Sequence, residues 1–206
     1  MTKPGTGRRR PSSRKLILTY HSLDSTGSVI SVDPAAFRRQ MEFLAASSTP
    51  VVALEDLPRV PSGIALTFDD AFLNFYEHAA PVLAALRIPA TVFVVSGYCG
   101  KRNDWPSQPA SGIPLLNLMS WSQIREIQRA GITIGAHTVT HPRLSRIPFE
   151  SAAAEVFRCR EEIQQQTGAP VRTFCYPYGD LTAKVRECVA QHFRVACGTA
   201  LSGLHP

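Results

Sequence analysis

The residues best suited to chemistry in this sequence are two adjacent aspartates. Asp69 and Asp70 directly follow the apolar run 65–68. Two carboxylates side by side at the end of a buried strand are costly, because like charges at close range oppose each other's ionisation. The pair therefore indicates either a functional site or a structural arrangement in which Asp70 caps the next helix and Asp69 faces solvent.

A histidine pair forms the second candidate group. His137 ends the apolar run 132–136, and His141 follows immediately before Pro142. Two imidazoles at this spacing can bind one metal ion, although two ordinary surface histidines are the alternative. Because proline disfavours helical backbone in the residue before it, we expect the pair to span a strand end and a turn.

A third candidate is the turn Tyr176-Pro177-Tyr178-Gly179, which follows the run 172–175. Proline fixes its own φ, and glycine lets the chain turn back. Such a turn can point a backbone N–H into a cleft, as an oxyanion hole requires. The structural alternative is a tight connection between a strand and a helix.

The surrounding sequence alternates short β-branched runs with segments of helical spacing. The predicted strands are 15–21, 51–54, 64–70, 90–95, 132–137, 172–178 and 194–199, and the predicted helices are 34–46, 73–86, 120–130, 150–167 and 181–192. This pattern predicts an α/β fold with a parallel sheet buried on both faces. Periodicity does not choose between a closed barrel and an open doubly wound sheet.

All three candidate groups lie at the carboxyl ends of predicted strands, which open on one face of a parallel α/β fold. One aspartate and two histidines form a three-ligand site with open positions for water and substrate. The second aspartate is then free to act as a base. The combination indicates a metal-dependent hydrolase.

Composition excludes several other classes of protein. The 206 residues suffice for one domain, and 44% hydrophobic with 18% charged residues excludes a disordered chain. The apolar runs are all shorter than the ~18 residues of a membrane span. Five scattered cysteines do not predict a disulfide framework.

The net charge of +6 comes from the first fifteen residues. Their cations are Lys3, Arg8, Arg9, Arg10, Arg14 and Lys15. We therefore predict a basic flexible tail over 1–14 and a domain over 15–206 that is formally neutral apart from Lys15, and no nucleic-acid partner. Since no apolar segment follows these charges, we expect no export signal and a cytoplasmic protein.

The segments 67–70, 137–141 and 176–179 resemble the first three motifs of the polysaccharide deacetylase family, the NodB-like carbohydrate esterases. The likeness covers residues 15–201. It implies a distorted (β/α) barrel of about seven parallel strands. It also implies hydrolysis of acetyl groups, N-acetyl above all, from a polysaccharide or oligosaccharide at carbon–nitrogen bonds other than peptide bonds.

The resemblance also assigns roles. Asp70, His137 and His141 would bind a divalent metal, commonly zinc, and Asp69 would be the general base. The backbone N–H of Tyr178 would stabilise the oxyanion. The substrate would be an acetylated amino sugar polymer or oligomer.

Two departures from the family pattern leave alternatives open. Cys175 stands where many relatives carry an arginine that pairs with the catalytic aspartate, and only 204–206 remain of a late Leu-x-His-like motif that supplies the catalytic acid. His205 and His21, at the end of the first predicted strand, are the candidate acids. There are two alternatives to a full deacetylase: a truncated enzyme, and a carbohydrate-binding relative with weak catalysis.

Two residues are candidate substrate contacts. Trp105 lies in the predicted loop 97–114 and could stack on a sugar ring, or else cover exposed core. Pro177 lies in the turn that carries Tyr178.

Overall fold

The computed structural model describes residues 15–109 and 111–199. Its sheet contains six parallel strands in the order of the chain, and they curl into a half-barrel. The strands are β1 Lys15–Tyr20, β2 Gly63–Phe68, β3 Thr91–Val94, β4 Thr133–Ala136, β5 Thr173–Cys175 and β6 Val195–Cys197. The helices are α1 Pro34–Ala46, α2 Ala80–Leu86, α3 Trp121–Arg129, α4 Phe149–Thr167 and α5 Ala183–Ala190.

The α/β fold with a parallel sheet is confirmed, and local sequence explains several of its boundaries. Asp33 caps α1 by accepting the N–H of Ala36 at 2.9 Å. Gly168 ends α4 with φ 68°, the left-handed conformation that glycine adopts without a steric cost. Every residue of β2 is buried, as its continuous apolar run predicts.

Two predicted elements differ from the observed ones. The predicted strand 51–54 forms only a single bridge, between Val51 and Ile64, because the chain then bends into the 3₁₀ turn Leu57–Arg59. The predicted helix 73–86 starts instead with the π-helical turn Phe75–Ala79. Pro81 has no N–H to continue an α-helical ladder at the start of α2, which accounts for the change of hydrogen-bond pattern there.

The sheet has a hydrophobic cluster on each face. The larger one joins the strands to all five helices. The smaller one contains no residue of these helices and fills the inside of the half-barrel. Its buried members are Leu54, Leu57, Ala65, Phe93, Cys175 and Cys197. Side chains alternate along each strand, so Asp69, four residues after Ala65, faces the inside of the half-barrel at its open end. His137 faces the same way, because it lies two residues after Gly135, the partner of the inward-facing Phe93.

None of the described helices is long and apolar enough to cross a membrane. The predicted basic tail and the candidate acid His205 lie outside the described residues.

Candidate active site

The carboxyl ends of β2, β4 and β5 bring the predicted site residues together. The strand ladder continues one residue beyond two of these ends: the N–H of Asp69 donates to Tyr20 at 2.9 Å, and the N–H of His137 donates to Val94 at 3.0 Å. These bonds fix the backbone of both residues at the open end of the half-barrel.

Asp70, His137 and His141 converge on one point. Oδ1 of Asp70 lies 3.5 Å from Nε2 of His137 and 3.3 Å from Nε2 of His141, and the two Nε2 atoms are 3.2 Å apart. Bonds of about 2.1 Å in a tetrahedral zinc site place neighbouring ligand atoms about 3.4 Å apart. All three side chains are buried, and Oδ1 of Asp70 has no hydrogen-bond partner among the described residues. The three ligand atoms therefore fit a single divalent cation.

Each imidazole is held in a suitable orientation. Nδ1 of His137 lies 2.8 Å from the carbonyl oxygen of Cys175. Because a carbonyl only accepts, Nδ1 carries the proton and Nε2 keeps its lone pair for a metal. The ring of His141 packs against Trp105 and against Tyr178, with centroid distances of 4.3 and 4.7 Å.

The ionisation behaviour of the three ligands also fits a cation. Burial raises the pKa of Asp70, and the charge of Asp69 raises it further. Burial lowers the pKa of His137 and of His141. Neutral imidazoles are the form that binds metal, and a bound cation would favour the ionised carboxylate.

Strained backbone is concentrated at this site. Among the described non-glycine residues, Asp70, Ala71, Thr138, His141 and Tyr178 have φ between 57° and 71°. Left-handed backbone costs an L-residue roughly 1–2 kcal/mol. Such residues persist only where the surrounding contacts enforce them, and they cluster at functional sites.

Asp69 lies beside the ligand set without belonging to it. Its Oδ2 accepts the thiol of Cys175 at 3.4 Å and lies 3.8 Å from Nε2 of His21. Its Oδ1 is buried and has no hydrogen-bond partner among the described residues. This carboxylate is therefore placed to accept a proton from a molecule in the site.

Asp69, His137 and Cys175 form a second group whose ligand atoms lie within 4.8 Å of one another. It shares His137 with the first group, so one cation excludes the other. Burial and then the charge of Asp69 raise the pKa of the Cys175 thiol, which keeps it protonated and donating. The set of Asp70 and the two histidines is the better site for a metal.

Tyr178 occupies the turn after β5 with φ 59° and ψ 8°. Its N–H donates to no backbone carbonyl within 15–109 and 111–199. Its hydroxyl donates to the carbonyl oxygen of Ser107 at 2.9 Å, and the guanidinium carbon of Arg143 lies 4.0 Å from the ring centroid. The side chain is thus fixed from two directions, and no acceptor among the described residues takes the N–H, which leaves it available to a ligand.

The remaining predicted residues differ in exposure. The side chain of His21 is 35% exposed and faces Asp69. Trp105 is 2% exposed and packs on His141, and Pro177 is buried as well. Trp105 therefore contributes to packing around a candidate ligand, and contact of either residue with a sugar stays a prediction.

Sequence reasoning missed two residues that touch the site. Ser107 donates its hydroxyl to the carbonyl oxygen of His141, and Glu155 on α4 binds the turn between the two histidines. Neither belongs to a motif or follows a strand. Only the packing of the long loop and of α4 brings them to the site.

Comparison with known proteins gives consistent results. A family model described as polysaccharide deacetylase matches residues 58–194. Protein YxkH of Bacillus subtilis is 24% identical over 182 residues, which is 83% of this chain and 60% of YxkH. The poly-beta-1,6-N-acetyl-D-glucosamine N-deacetylase of Staphylococcus aureus is 22% identical over 165 residues, which is 72% of this chain and 54% of that protein. The chain thus spans little more than half the length of these curated relatives.

Among solved structures, the Streptococcus pyogenes deacetylase PplD in complex with acetate has the same fold. The TM-score is 0.75 at 22% sequence identity, covering 89% of this chain and 83% of that chain.

Proposed function

Because the chain belongs to the polysaccharide deacetylase family, we propose that it is a metal-dependent hydrolase that removes acetyl groups, N-acetyl above all, from a polysaccharide or oligosaccharide. The bond broken is a carbon–nitrogen amide bond outside peptides. The observation that carries the proposal is the convergence of Asp70, His137 and His141 at separations of 3.2 to 3.5 Å. The name of the Staphylococcus aureus relative supports an N-acetylated amino sugar as the substrate class.

These three residues would hold the metal, with zinc as the first candidate. A bound divalent cation would lower the pKa of water and polarise the acetyl carbonyl. The carbonyl of Cys175 and the packing around His141 keep the imidazoles in place for it.

Asp69 acts as the general base. It accepts the proton of the attacking water, and its free Oδ1 and its position next to Asp70 suit that role. The Cys175 thiol, which donates to Oδ2, stabilises the ionised form of the base.

Two further groups complete the reaction. The free N–H of Tyr178 donates to the oxygen of the acetyl carbonyl as negative charge develops there. The departing amine then needs a proton. His21, 3.8 Å from Asp69, is the candidate donor within the described residues, and His205 stays the alternative.

The test is metal content together with acetate release. Protein loaded with zinc or cobalt should release acetate from N-acetylglucosamine oligomers, and Asp69→Asn should retain the metal and lose at least about a hundredfold of the rate. Asp56→Asn, at an exposed aspartate just before the 3₁₀ turn Leu57–Arg59, is the matched control. Equal acetate release by wild type and Asp69→Asn contradicts the mechanism.

One observation favours a second candidate function, a carbohydrate-binding protein with weak catalysis. The group that donates to Asp69 is a neutral thiol, whereas many relatives are expected to carry an arginine there. This alternative predicts tight binding of acetylated oligomers by metal-loaded protein with no acetate release. Robust turnover eliminates it.

A further inference from the structure

The turn between the two histidines is held by a carboxylate on α4. Oε2 of Glu155 accepts the N–H of Val139 and the N–H of Thr140, each at 2.8 Å. Oε1 accepts the hydroxyl of Thr140, also at 2.8 Å. One partly buried side chain therefore takes three hydrogen bonds from two successive residues.

The backbone of the turn explains why an anion fits there. Thr138 is left-handed, with φ 67°, and this conformation points the next two N–H groups to the same side. Successive N–H groups arranged in this way form a concave site for negative charge. Charge-assisted hydrogen bonds of this kind are stronger than neutral ones.

Glu155 does not serve as an ordinary ion-pair partner. Within 15–109 and 111–199 it makes no salt bridge, and Arg158, one turn further along α4, pairs with Glu162 at 3.5 Å. The N–H groups of the turn are thus the groups that compensate the charge of Glu155.

The opposite side of the turn is fixed as well. The N–H of Ser96 donates to Thr138 at 3.2 Å, and the N–H of Gly97 donates to Val139 at 3.0 Å. A Cβ atom at residue 97 would lie 2.7 Å from the carbonyl oxygen of Val139, so only glycine permits this approach. Glu155 therefore accepts hydrogen bonds from the N–H groups of the turn, and the N–H groups of the segment after β3 donate to its carbonyl oxygens.

His141 depends on this turn for its position. Its own N–H donates to the hydroxyl of Thr138 at 3.0 Å, and its φ is 57°. A shift of the turn would move Nε2 of His141 away from Oδ1 of Asp70, which is 3.3 Å distant.

We propose that Glu155 is a positioning residue for the metal site, which sets the zinc affinity by clamping the turn that carries His141. The inference rests on the proposed function for the presence of zinc. The clamp itself concerns only residues of this chain.

The test measures zinc affinity by chelator competition, and amide hydrogen exchange at residues 139 and 140, in the full chain. We expect Glu155→Ala to weaken zinc binding about 10–100-fold, as loss of a group supporting a metal ligand does. Exchange of both amides should become faster. Glu155→Gln keeps an acceptor oxygen, so it should restore part of both properties. The absorption spectrum of the cobalt-loaded Glu155→Ala protein should also differ from that of the wild type.

Two controls separate positioning from general stability. Glu161→Ala removes an exposed carboxylate from the same helix and should change neither measurement. Ile163→Ala removes a fully buried side chain of α4 and should lower the melting temperature while leaving the zinc affinity of the folded protein unchanged.

Wild-type zinc affinity in Glu155→Ala, or equal weakening by Ile163→Ala, overturns the proposal while the proposed function stands. Wild-type protein that binds neither zinc nor cobalt contradicts the proposed function instead. Even then, unchanged amide hydrogen exchange at residues 139 and 140 in Glu155→Ala would show that Glu155 does not clamp the turn.

Discussion

Cys175 and His137 are joined by a hydrogen bond of 2.8 Å between the carbonyl oxygen of the cysteine and Nδ1 of the histidine. The thiol of the same cysteine donates to Asp69. One residue of β5 therefore supports a candidate metal ligand through its backbone and the candidate base through its side chain. The two functions can be separated by mutation, because only the second depends on the residue type.

Cys175→Ala should retain zinc and lose activity. The carbonyl that orients His137 is unchanged, whereas Asp69 loses its S–H donor. We expect kcat/KM to fall about fivefold, which corresponds to about 1 kcal/mol. Cys197→Ala, which alters the residue paired with Cys175 on the adjacent strand, is the control and should keep full activity. Loss of zinc from Cys175→Ala would show that the thiol itself holds the metal.

Zinc should stabilise the fold through the three ligands. Free zinc at about a thousand times its Kd should raise the free energy of unfolding by about 4 kcal/mol. His137→Ala and His141→Ala should abolish this gain, since each removes a ligand. His78→Ala, an exposed histidine before α2, should retain it. Thermal unfolding with and without zinc measures the effect, and an undiminished gain in both ligand variants would contradict the assignment.

The contribution of Asp70 to the stability of the metal-free protein should decrease as pH rises. Burial raises the pKa of Asp70 in the fold above its value in the unfolded chain, so the native state binds the extra proton. Its stabilising effect is complete below the unfolded pKa and is lost as pH rises to the folded pKa. The lowered pKa values of the two histidines act in the opposite direction, which makes a reference variant necessary.

Asp70→Asn is the reference for that measurement. The free energy of unfolding of metal-free wild type minus that of Asp70→Asn should decrease as pH rises from the ordinary range of an aspartate, near ~4. Denaturant titrations at several pH values provide the difference. A difference that increases with pH would mean that Asp70 is stabilised as an anion without a metal.

Trp105→Ala should weaken zinc binding and lower kcat while leaving KM nearly unchanged. The indole packs 4.3 Å from the ring of His141, and its Nε1 has no hydrogen-bond partner among the described residues. Trp105→Phe keeps an aromatic face and should be close to wild type, and Trp121→Phe is the control. A large rise in KM with normal zinc affinity would favour the other prediction, that Trp105 contacts the sugar.

The fold was predictable where the sequence pattern is strong. The continuous apolar run of β2 and the boundaries of α1 match the expected elements closely. The prediction of a strand at 51–54 was wrong, because only Val51 pairs with the neighbouring strand β2. An apolar run of this length shows a preference for β structure but not how far the pairing with a neighbouring strand extends. The π-helical turn Phe75–Ala79 was missed because five residues are too few for hydrophobic spacing to distinguish a π segment from an α segment.

The candidate site divides in the same way. His137, His141 and the aspartate pair could be named from the sequence because residue type and position at strand ends already restrict their chemistry, and the family resemblance singled out Asp70. Glu155 and Ser107 could not, since an ordinary helical glutamate and a loop serine give no local signal. Trp105 could be named but not placed, because stacking on a sugar and packing on a histidine require the same aromatic ring.

The sequence by itself determined which side chains are available and that parallel strands would carry them to one face, since local periodicity and strand direction suffice for that. Residue type and spacing did not distinguish the two aspartates; apart from the family resemblance, only the tertiary structure decided which of them meets the imidazoles. Beyond the end of a strand, the conformation of the following turn decides where each side chain points. The left-handed backbone of Asp70 directs its carboxylate to the histidines, whereas the carboxylate of Asp69 lies beside Cys175 and His21. That turn is stabilised by contacts between distant segments, so no local pattern encodes it.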